Sequence, residues 1–187
     1  MLIKESKIKG VLEIELEPHE DQRGFLMRTY DEVIFKKYGL QQRWVQESHS
    51  YTKKRGTIRG LHFQFPPSSE IKLIRVITGE IYTVFLDLRK SSFSFGQWGN
   101  INLSGDNKKM LYIPRGFALG MCTLNDDCSV LYKMSDNYVP EKQGVIKWDD
   151  PDLNIDWPLS RDPIISERDA AAKSFKDFIE TCGSLKI

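Results

Sequence analysis

Short segments rich in β-branched and aromatic residues dominate the sequence, and glycine, proline or polar clusters separate them at nearly even intervals. Segments of this length and spacing are typical of antiparallel β-structure. The pattern predicts ten strands: 10–17, 25–30, 43–48, 57–64, 72–78, 80–88, 98–103, 109–113, 117–124 and 128–133. We therefore expect an all-β sandwich or barrel.

Alternation along two of these segments places polar side chains on apolar faces. Lys72 shares one face with Ile74 and Val76, and Tyr132 shares another with two apolar neighbours, because side chains repeat every second residue in a strand. Strands 72–78 and 80–88 meet at Gly79, which indicates a tight turn. A polar residue at the head of an inward face would place chemistry inside the barrel.

Two segments predict helices. The short one covers 31–38 and ends at Gly39, and the longer one covers 166–182 and ends at Gly183. The longer segment begins with a serine followed three residues later by an acidic residue, a helix-capping pattern. The 187 residues fit a single domain, 1–187, with a barrel core at about 10–150 and a C-terminal helical segment at about 159–183.

The charge balance and the cysteine count exclude several classes of protein. Lysine and arginine number 27 against 26 aspartates and glutamates, so no overall field favours nucleic acid or an anionic membrane. No apolar run approaches the roughly 18–20 residues of a membrane span, and the start lacks the form of a signal peptide. Three irregularly spaced cysteines do not make a disulfide framework. We expect a cytoplasmic protein with reduced thiols.

The common catalytic signatures are missing. The three histidines, His19, His49 and His62, are dispersed, and no His-x-His pair is present, so a metal site is not favoured. The sequence contains no glycine-rich phosphate loop and no Gly-x-Ser-x-Gly elbow. Hydrolase, kinase and dehydrogenase functions therefore lose support.

Four ionisable residues remain as candidates for chemistry, and each also has an ordinary structural explanation. His62 is a candidate base or a core histidine. Lys72 is either a buried cation, which needs an anion beside it, or an ordinary residue at a solvated strand end. Tyr132 is a proton donor or a packing residue, and Asp169 orients a histidine or charges the first turn of a helix. Taken singly, each structural explanation is at least as good as the functional one.

The order of these residues along the chain changes that balance. They occur within a series of motifs that spans about residues 10–170. The motifs are Asp21-Gln22-Arg23-Gly24-Phe25, Arg59-Gly60-Leu61-His62-Phe63-Gln64, Lys72-Leu73-Ile74-Arg75-Val76, Asp87-Leu88-Arg89, Phe95-Gly96-Gln97-Trp98, Ile113-Pro114-Arg115-Gly116-Phe117-Ala118, Leu131-Tyr132-Lys133, Tyr138-Val139-Pro140-Glu141, Trp148-Asp149-Asp150-Pro151, Ile155-Asp156-Trp157-Pro158 and Ser166-Glu167-Arg168-Asp169. The series resembles the dTDP-4-dehydrorhamnose 3,5-epimerase family of nucleotide-sugar epimerases.

The resemblance implies a mainly β fold of the cupin type, a jelly roll or β-sandwich, and usually a homodimer without metal or organic cofactor. The implied substrate is a nucleotide-linked 4-keto-6-deoxyhexose, epimerised at C3, C5 or both. In this family pattern His62 removes the proton beside the ketone, and Asp169 orients His62. Lys72 stabilises the enolate oxygen, and Tyr132 returns a proton from the opposite face.

The resemblance also implies residues that bind the substrate. Arg59 and Arg23 hold the diphosphate, with Arg23 reaching into the site of a partner subunit, and Tyr138 lies near the sugar or base. Strict alternation would put Arg59 and His62 on opposite faces of their strand. We therefore expect a bulge at Gly60.

Four positions depart from the family pattern. Leu119 stands where a histidine is usual and Thr83 where an aspartate is common, so a single epimerisation is a fair alternative to a double one. Arg28 replaces a glutamate, and Ser48, close to the substrate-binding candidate Gln46, replaces an asparagine at positions that face the base. Because these changes alter charge and hydrogen bonding, CDP or GDP are alternatives to dTDP.

Two other functions remain open. A sugar ketoisomerase on the same fold would move the carbonyl instead of inverting a carbon. A non-catalytic cupin would only bind a nucleotide sugar. The joint presence of His62, Lys72, Tyr132 and Asp169 argues against a mere binder, because binding needs no acid and base.

Overall fold

The computed structural model describes residues 1–40 and 43–187. Its strands are β1 (Leu2–Glu5), β2 (Leu12–Glu15), β3 (His19–Asp21), β4 (Gly24–Leu26), β5 (Gln46–Thr52), β6 (Ile58–Gln64), β7 (Lys72–Thr78), β8 (Glu80–Asp87), β9 (Trp98–Ser104), β10 (Lys109–Ile113), β11 (Phe117–Thr123), β12 (Cys128–Met134) and β13 (Gln143–Val145). Its helices are α1 (Glu32–Lys37), α2 (Glu167–Ala170) and α3 (Phe175–Cys182), with one 3-10 turn at Pro140–Lys142. The predicted mainly β architecture is confirmed.

Two antiparallel sheets form a sandwich. One has six strands in the order β1-β2-β10-β7-β12-β5, and the other has five in the order β13-β6-β11-β8-β9. The core between them joins Ile74 and Val130 of the first sheet to Phe85 and Met121 of the second. Strands β3 and β4 pair only with each other, as a separate hairpin.

The outer face of the five-stranded sheet is covered as well. Trp157, Phe175, Phe178 and Leu185 from the C-terminal segment pack against apolar side chains of that sheet. Because both faces of the sheet are buried, every residue of β11 is buried. The C-terminal segment therefore lies against the sheet that contains β6, β11 and β8.

Helix α1 packs against the outer face of the six-stranded sheet, in a cluster separate from the core between the two sheets. Its N-cap is Asp31, whose side chain accepts hydrogen bonds from Val33 N and Ile34 N, and Gly39 follows the helix with a φ of 66°. Phe35 is fully buried in this outer cluster, beside Ile14 and Leu73. The short helix predicted at 31–38 is confirmed.

The prediction of one continuous helix over 166–182 was wrong, because α2 and α3 are separated at residues 171–174. The backbone there pairs with another segment, since Lys147 N donates to Lys173 O at 2.9 Å. Ser174 then starts a new helix through a reciprocal capping box with Asp177. A contact with the strand region thus interrupts the helix.

The turn predicted at Gly79 is confirmed, but the two strands that it joins do not pair. Gly79 has a φ of 79°, and an added Cβ would lie 2.6 Å from Cys128 Sγ. Strand β7 belongs to the six-stranded sheet and β8 to the five-stranded one, so the chain crosses between sheets here. In the part of the chain that the structure describes, no helix is long and apolar enough to cross a membrane.

Candidate active site

The bulge expected in β6 is present and brings two site candidates to one face. His62 lies opposite Leu119 and Arg59 opposite Met121, so three steps on β6 match two on β11. Gly60 has a φ of 113°, and a Cβ there would lie 2.4 Å from Leu119 O. Because of the extra residue, Arg59 and His62 share the inward face.

His62 is paired with Asp169. The distance from His62 Nε2 to Asp169 Oδ1 is 2.7 Å, and Gly60 N donates to Asp169 Oδ2 at 3.0 Å. Asp169 lies in α2, where its own N–H donates to the N-cap Ser166. Only 4% of the Asp169 side chain is exposed, against 31% for His62. The carboxylate is therefore fixed behind the imidazole.

The surroundings of Asp169 keep it charged. Burial acts to raise the pKa of Asp169, but hydrogen bonds from His62 and Gly60 and the charge of Arg168 outweigh it and hold the pKa below its usual value. An ionised carboxylate only accepts hydrogen bonds, so His62 Nε2 must carry the shared hydrogen. The lone pair of a neutral His62 is then on Nδ1, the nitrogen suited to act as a base.

Lys72 meets a carboxylate that the sequence analysis missed. Its ammonium forms an ion pair with Glu70 Oε1, and the exposed fractions of the two side chains are only 14% and 8%. Gln64 Nε2 donates to the other oxygen of Glu70 at 2.7 Å. The signal in the sequence was the two-residue spacing of Glu70 and Lys72. The alternative of a solvated strand end does not hold.

Tyr132 presents a protonated phenol. It lies on β12 between Ile74 of β7 and Ser48 of β5, and its hydroxyl contacts Met121 Sδ at 3.0 Å. Burial raises the pKa of Tyr132 far above its usual value, and the charge of Arg59 offsets only part of that. Because a thioether is a weak acceptor, the phenolic proton remains available to a stronger one.

These side chains converge on one cavity of about 210 Å³. Its wall combines the three predicted proton-transfer and charge-stabilising groups with three predicted substrate-binding residues: His62, Lys72, Tyr132, Gln46, Ser48 and Tyr138. A base, a cation and a neutral acid around one small cavity can remove a proton, stabilise the resulting anion and return a proton.

Three glutamines hold Tyr138, which lines this cavity, and its neighbour Val139. The backbone N of Tyr138 donates to Gln46 Oε1 at 2.5 Å, and its hydroxyl donates to Gln143 Oε1 at 2.6 Å. Gln64 accepts a hydrogen bond from Val139 N at 2.7 Å. Gln64 and Gln143 were not singled out as site residues, although Gln64 belongs to one of the family-like motifs.

The other predicted binding residues lie elsewhere in the chain. Arg23, on the turn between β3 and β4, is 84% exposed and paired with Asp21. Arg28 is paired with Asp31 and lines a separate cavity of about 450 Å³. The cavity wall that the described residues form does not include Leu119, which is 8% exposed in the core.

Arg59 is exposed on β6 and is not among the described residues that line this cavity. Its Nε donates to Thr52 Oγ1 at 3.2 Å, and its charge acts on Tyr132. Within residues 1–40 and 43–187, no group of three or more histidine, cysteine, aspartate or glutamate residues is placed to hold a metal ion.

The chain is similar to known proteins over nearly its whole length. A family model described as dTDP-4-dehydrorhamnose 3,5-epimerase matches residues 5–177. A protein of that name from Methanothermobacter thermautotrophicus is 45% identical over 174 residues, which cover 92% of this chain and 93% of the relative.

Solved structures of epimerases also share the fold of this chain. The epimerase from Legionella pneumophila, in complex with dTDP-4-keto-L-rhamnose, has a TM-score of 0.92 at 35% identity, covering 100% of this chain and 98% of that one. A Mycobacterium tuberculosis epimerase has a TM-score of 0.95 at 32% identity, covering 100% and 94%. These likenesses confirm the predicted cupin-type fold.

Proposed function

The chain belongs to the dTDP-4-dehydrorhamnose 3,5-epimerase family, and we propose from this that it epimerises a nucleotide-linked 4-keto-6-deoxyhexose at C3, C5 or both. It is an isomerase by this membership. The observation that supports the chemistry most strongly is the convergence of His62, Lys72 and Tyr132 on one cavity, with Asp169 behind His62.

The reaction starts with removal of a proton next to the ketone. His62 takes this proton on Nδ1, and the electrons of the broken C–H bond form the enolate. Asp169 supports the imidazolium through its bond to Nε2, 2.7 Å away. Positioned proton transfer of this kind typically contributes about 10²–10⁴-fold to the rate.

Lys72 stabilises the enolate oxygen. Its ammonium is mostly withdrawn from solvent, with 14% of the side chain exposed, so its field is screened less than that of a surface lysine. Glu70 occupies one direction around the ammonium, and the remaining N–H groups can donate to the developing oxyanion.

Inversion requires that the new proton arrive from the opposite face. Tyr132 donates it, which re-forms the C–H bond and the ketone and leaves a phenolate. Solvent exchange then returns a proton to Tyr132 and removes the one on His62. Its high pKa keeps Tyr132 protonated until the carbanion forms.

The main test measures deuterium uptake from D2O at C3 and C5 in a panel of 4-keto nucleotide sugars, together with product structure. We expect uptake and epimer formation, and their loss in His62→Ala. The matched control is His49→Ala, an exposed histidine on β5, which should behave like the wild type. If the wild type shows no deuterium uptake, the protein is a non-catalytic binder. If the carbonyl moves to another carbon, it is a ketoisomerase. Normal product formation by His62→Ala would refute the assignment of His62 as the base.

We also propose a homodimer in which Arg23 completes the partner's site beside Arg59. The β3–β4 hairpin stands apart from both sheets and carries the exposed apolar residues Phe25 and Leu26, at 50% and 78% exposure. A cation at its tip suits the diphosphate of a neighbouring substrate.

Subunit mixing tests this arrangement. Arg23→Ala and His62→Ala subunits, each nearly inactive alone, should regain activity when mixed, because one site of the hybrid receives both intact residues. Dimers that exchange subunits without any gain would contradict the shared site.

The nucleotide is a separate question. Ser48 and Gln46 line the cavity, whereas Arg28 lies outside it in the single chain. Contact between Arg28 and a nucleotide base would therefore also depend on the partner subunit. We propose that the base need not be thymine, with CDP and GDP as alternatives. Binding of dTDP, UDP, CDP and GDP should be compared, and a clear preference for dTDP would remove this proposal.

A cytoplasmic location is proposed as well. Cys122, Cys128 and Cys182 are all free thiols, the state that a reducing compartment maintains. Fractionation of the source cells with an antibody against the chain would test it, and recovery outside the cytoplasm would contradict it.

A further inference from the structure

The cavity holds a carboxylate beside the lysine that the proposed reaction uses. Glu70 Oε1 pairs with the Lys72 ammonium, and both side chains are largely buried. Glu70 lies just before β7, and Lys72 is the first residue of that strand. The two-residue spacing therefore brings both groups to the same end of the cavity wall.

Glu70 is itself held in place. Gln64, which is 5% exposed, donates from Nε2 to Glu70 Oε2 at 2.7 Å. The same amide nitrogen lies within hydrogen-bond distance of Ser68 O at 2.8 Å and Asn137 O at 3.2 Å. Each oxygen of Glu70 thus has its own partner, so the carboxylate cannot turn away without losing one.

No other carboxylate serves Lys72 among the described residues. The position on β8 where the family commonly has an aspartate is Thr83, whose buried Oγ1 has no hydrogen-bond partner. The remaining carboxylate of the cavity wall, Asp136, is paired with Arg115 at 2.5 Å. Glu70 is therefore the counter-ion on which the lysine's position depends.

We propose that Glu70 is a positioning residue for epimerisation, holding the Lys72 ammonium at the place where the enolate oxygen develops. This inference rests on the proposed function. Lysine has a long, flexible side chain, and a misplacement of about 1 Å in a catalytic group can cost about 10²-fold in rate. Because the oxyanion exists only after proton removal, the benefit appears in kcat and not in substrate binding.

The test is Glu70→Gln, which keeps the size of the side chain and removes its charge. We expect kcat and deuterium uptake to fall together by about 10- to 100-fold, with KM within about twofold of the wild type. The matched control is Glu47→Gln, which removes the same charge from an exposed pair with Lys133 on the same sheet. It should leave both constants unchanged.

A double-variant cycle shows whether Glu70 acts through Lys72. In a Lys72→Met background, Glu70→Gln should change deuterium uptake by less than about twofold, because the group being positioned is gone. If the loss of deuterium uptake in the double variant equals the product of the losses in the two single variants, the proposal is overturned. So would an unchanged kcat in Glu70→Gln, or a higher KM at unchanged kcat, which would assign Glu70 to the loop of Tyr138.

Folding and activity controls keep these outcomes distinct. Thermal unfolding checks that Glu70→Gln folds, and if it does not, Glu70→Asp carries the test with an expected few-fold loss of kcat. An unchanged kcat in that variant would again overturn the proposal. Absence of uptake in the wild type would instead refute the proposed function itself.

Discussion

Replacing Asp169 by asparagine tests the assignment of His62 as the base, and the structure predicts a loss of activity or a loss of stability, depending on how the amide is oriented. Asp169 accepts from His62 Nε2 with one oxygen and from Gly60 N with the other. Asparagine has a single oxygen, so its NH2 group must face one of these two donors. No orientation of the amide satisfies both.

The cost to activity follows from the tautomer. If the amide NH2 faces His62, Nε2 must accept, the ring hydrogen moves to Nδ1, and the base loses its lone pair. Amidation of the aspartate in a Ser-His-Asp triad lowers kcat by about 10⁴-fold for this reason. We expect a loss of about 10³–10⁴-fold in kcat for Asp169→Asn in this orientation.

The cost to stability follows from the other orientation. If the NH2 faces Gly60, a buried backbone donor is left without an acceptor, at about 1–3 kcal/mol. For a chain of this size that lowers Tm by roughly 2–12 °C. Deuterium uptake with a 4-keto nucleotide sugar and thermal unfolding measure the two effects. A kcat within tenfold of the wild type together with an unchanged Tm would refute the assigned role of the His62–Asp169 pair.

Three further predictions concern the acid, the bulge and a buried carboxylate. Tyr132→Phe should retain deuterium uptake but lose the inverted product, and full epimerisation by this variant would exclude the phenol as the proton donor. Gly60→Ala should lower the unfolding free energy by at least about 2 kcal/mol, because its Cβ would meet Leu119 O; equal urea midpoints would contradict this. Burial acts to raise the pKa of Asp87, but hydrogen bonds, first that of Arg89, hold it below the ordinary value of 3.8. The contribution of Asp87 to stability is therefore complete above its pKa in the unfolded state and is lost as pH falls through its pKa in the folded state. Asp87→Asn should weaken the dependence of urea unfolding on acid pH, and an unaltered dependence would contradict this prediction.

Local pattern determined much of the fold. The sequence predicted β7 and β10 with their exact ends, because alternation and flanking turns are local properties. It also predicted the bulge at Gly60, from the conflict between alternation and the shared role of Arg59 and His62. The candidates for base, cation and acid came from residue chemistry and motif order.

Contacts between distant segments were decided only in three dimensions. The helix expected over 166–182 breaks because Lys173 pairs with Lys147, a contact that no local propensity contains. The crossing at Gly79 likewise depends on which sheet each strand joins. Strand pairing is a long-range choice, so the turn was predictable and the partners of its strands were not.

The same division holds in the site. The sequence alone determined that a histidine, a lysine, a tyrosine and an aspartate were present in a family-like order. The family resemblance also implied that Asp169, 107 residues along the chain, orients His62, whereas only tertiary structure showed their contact and paired Glu70 with Lys72. The physical reason is that burial and charge depend on what surrounds a group in space, which residue order along a chain does not specify.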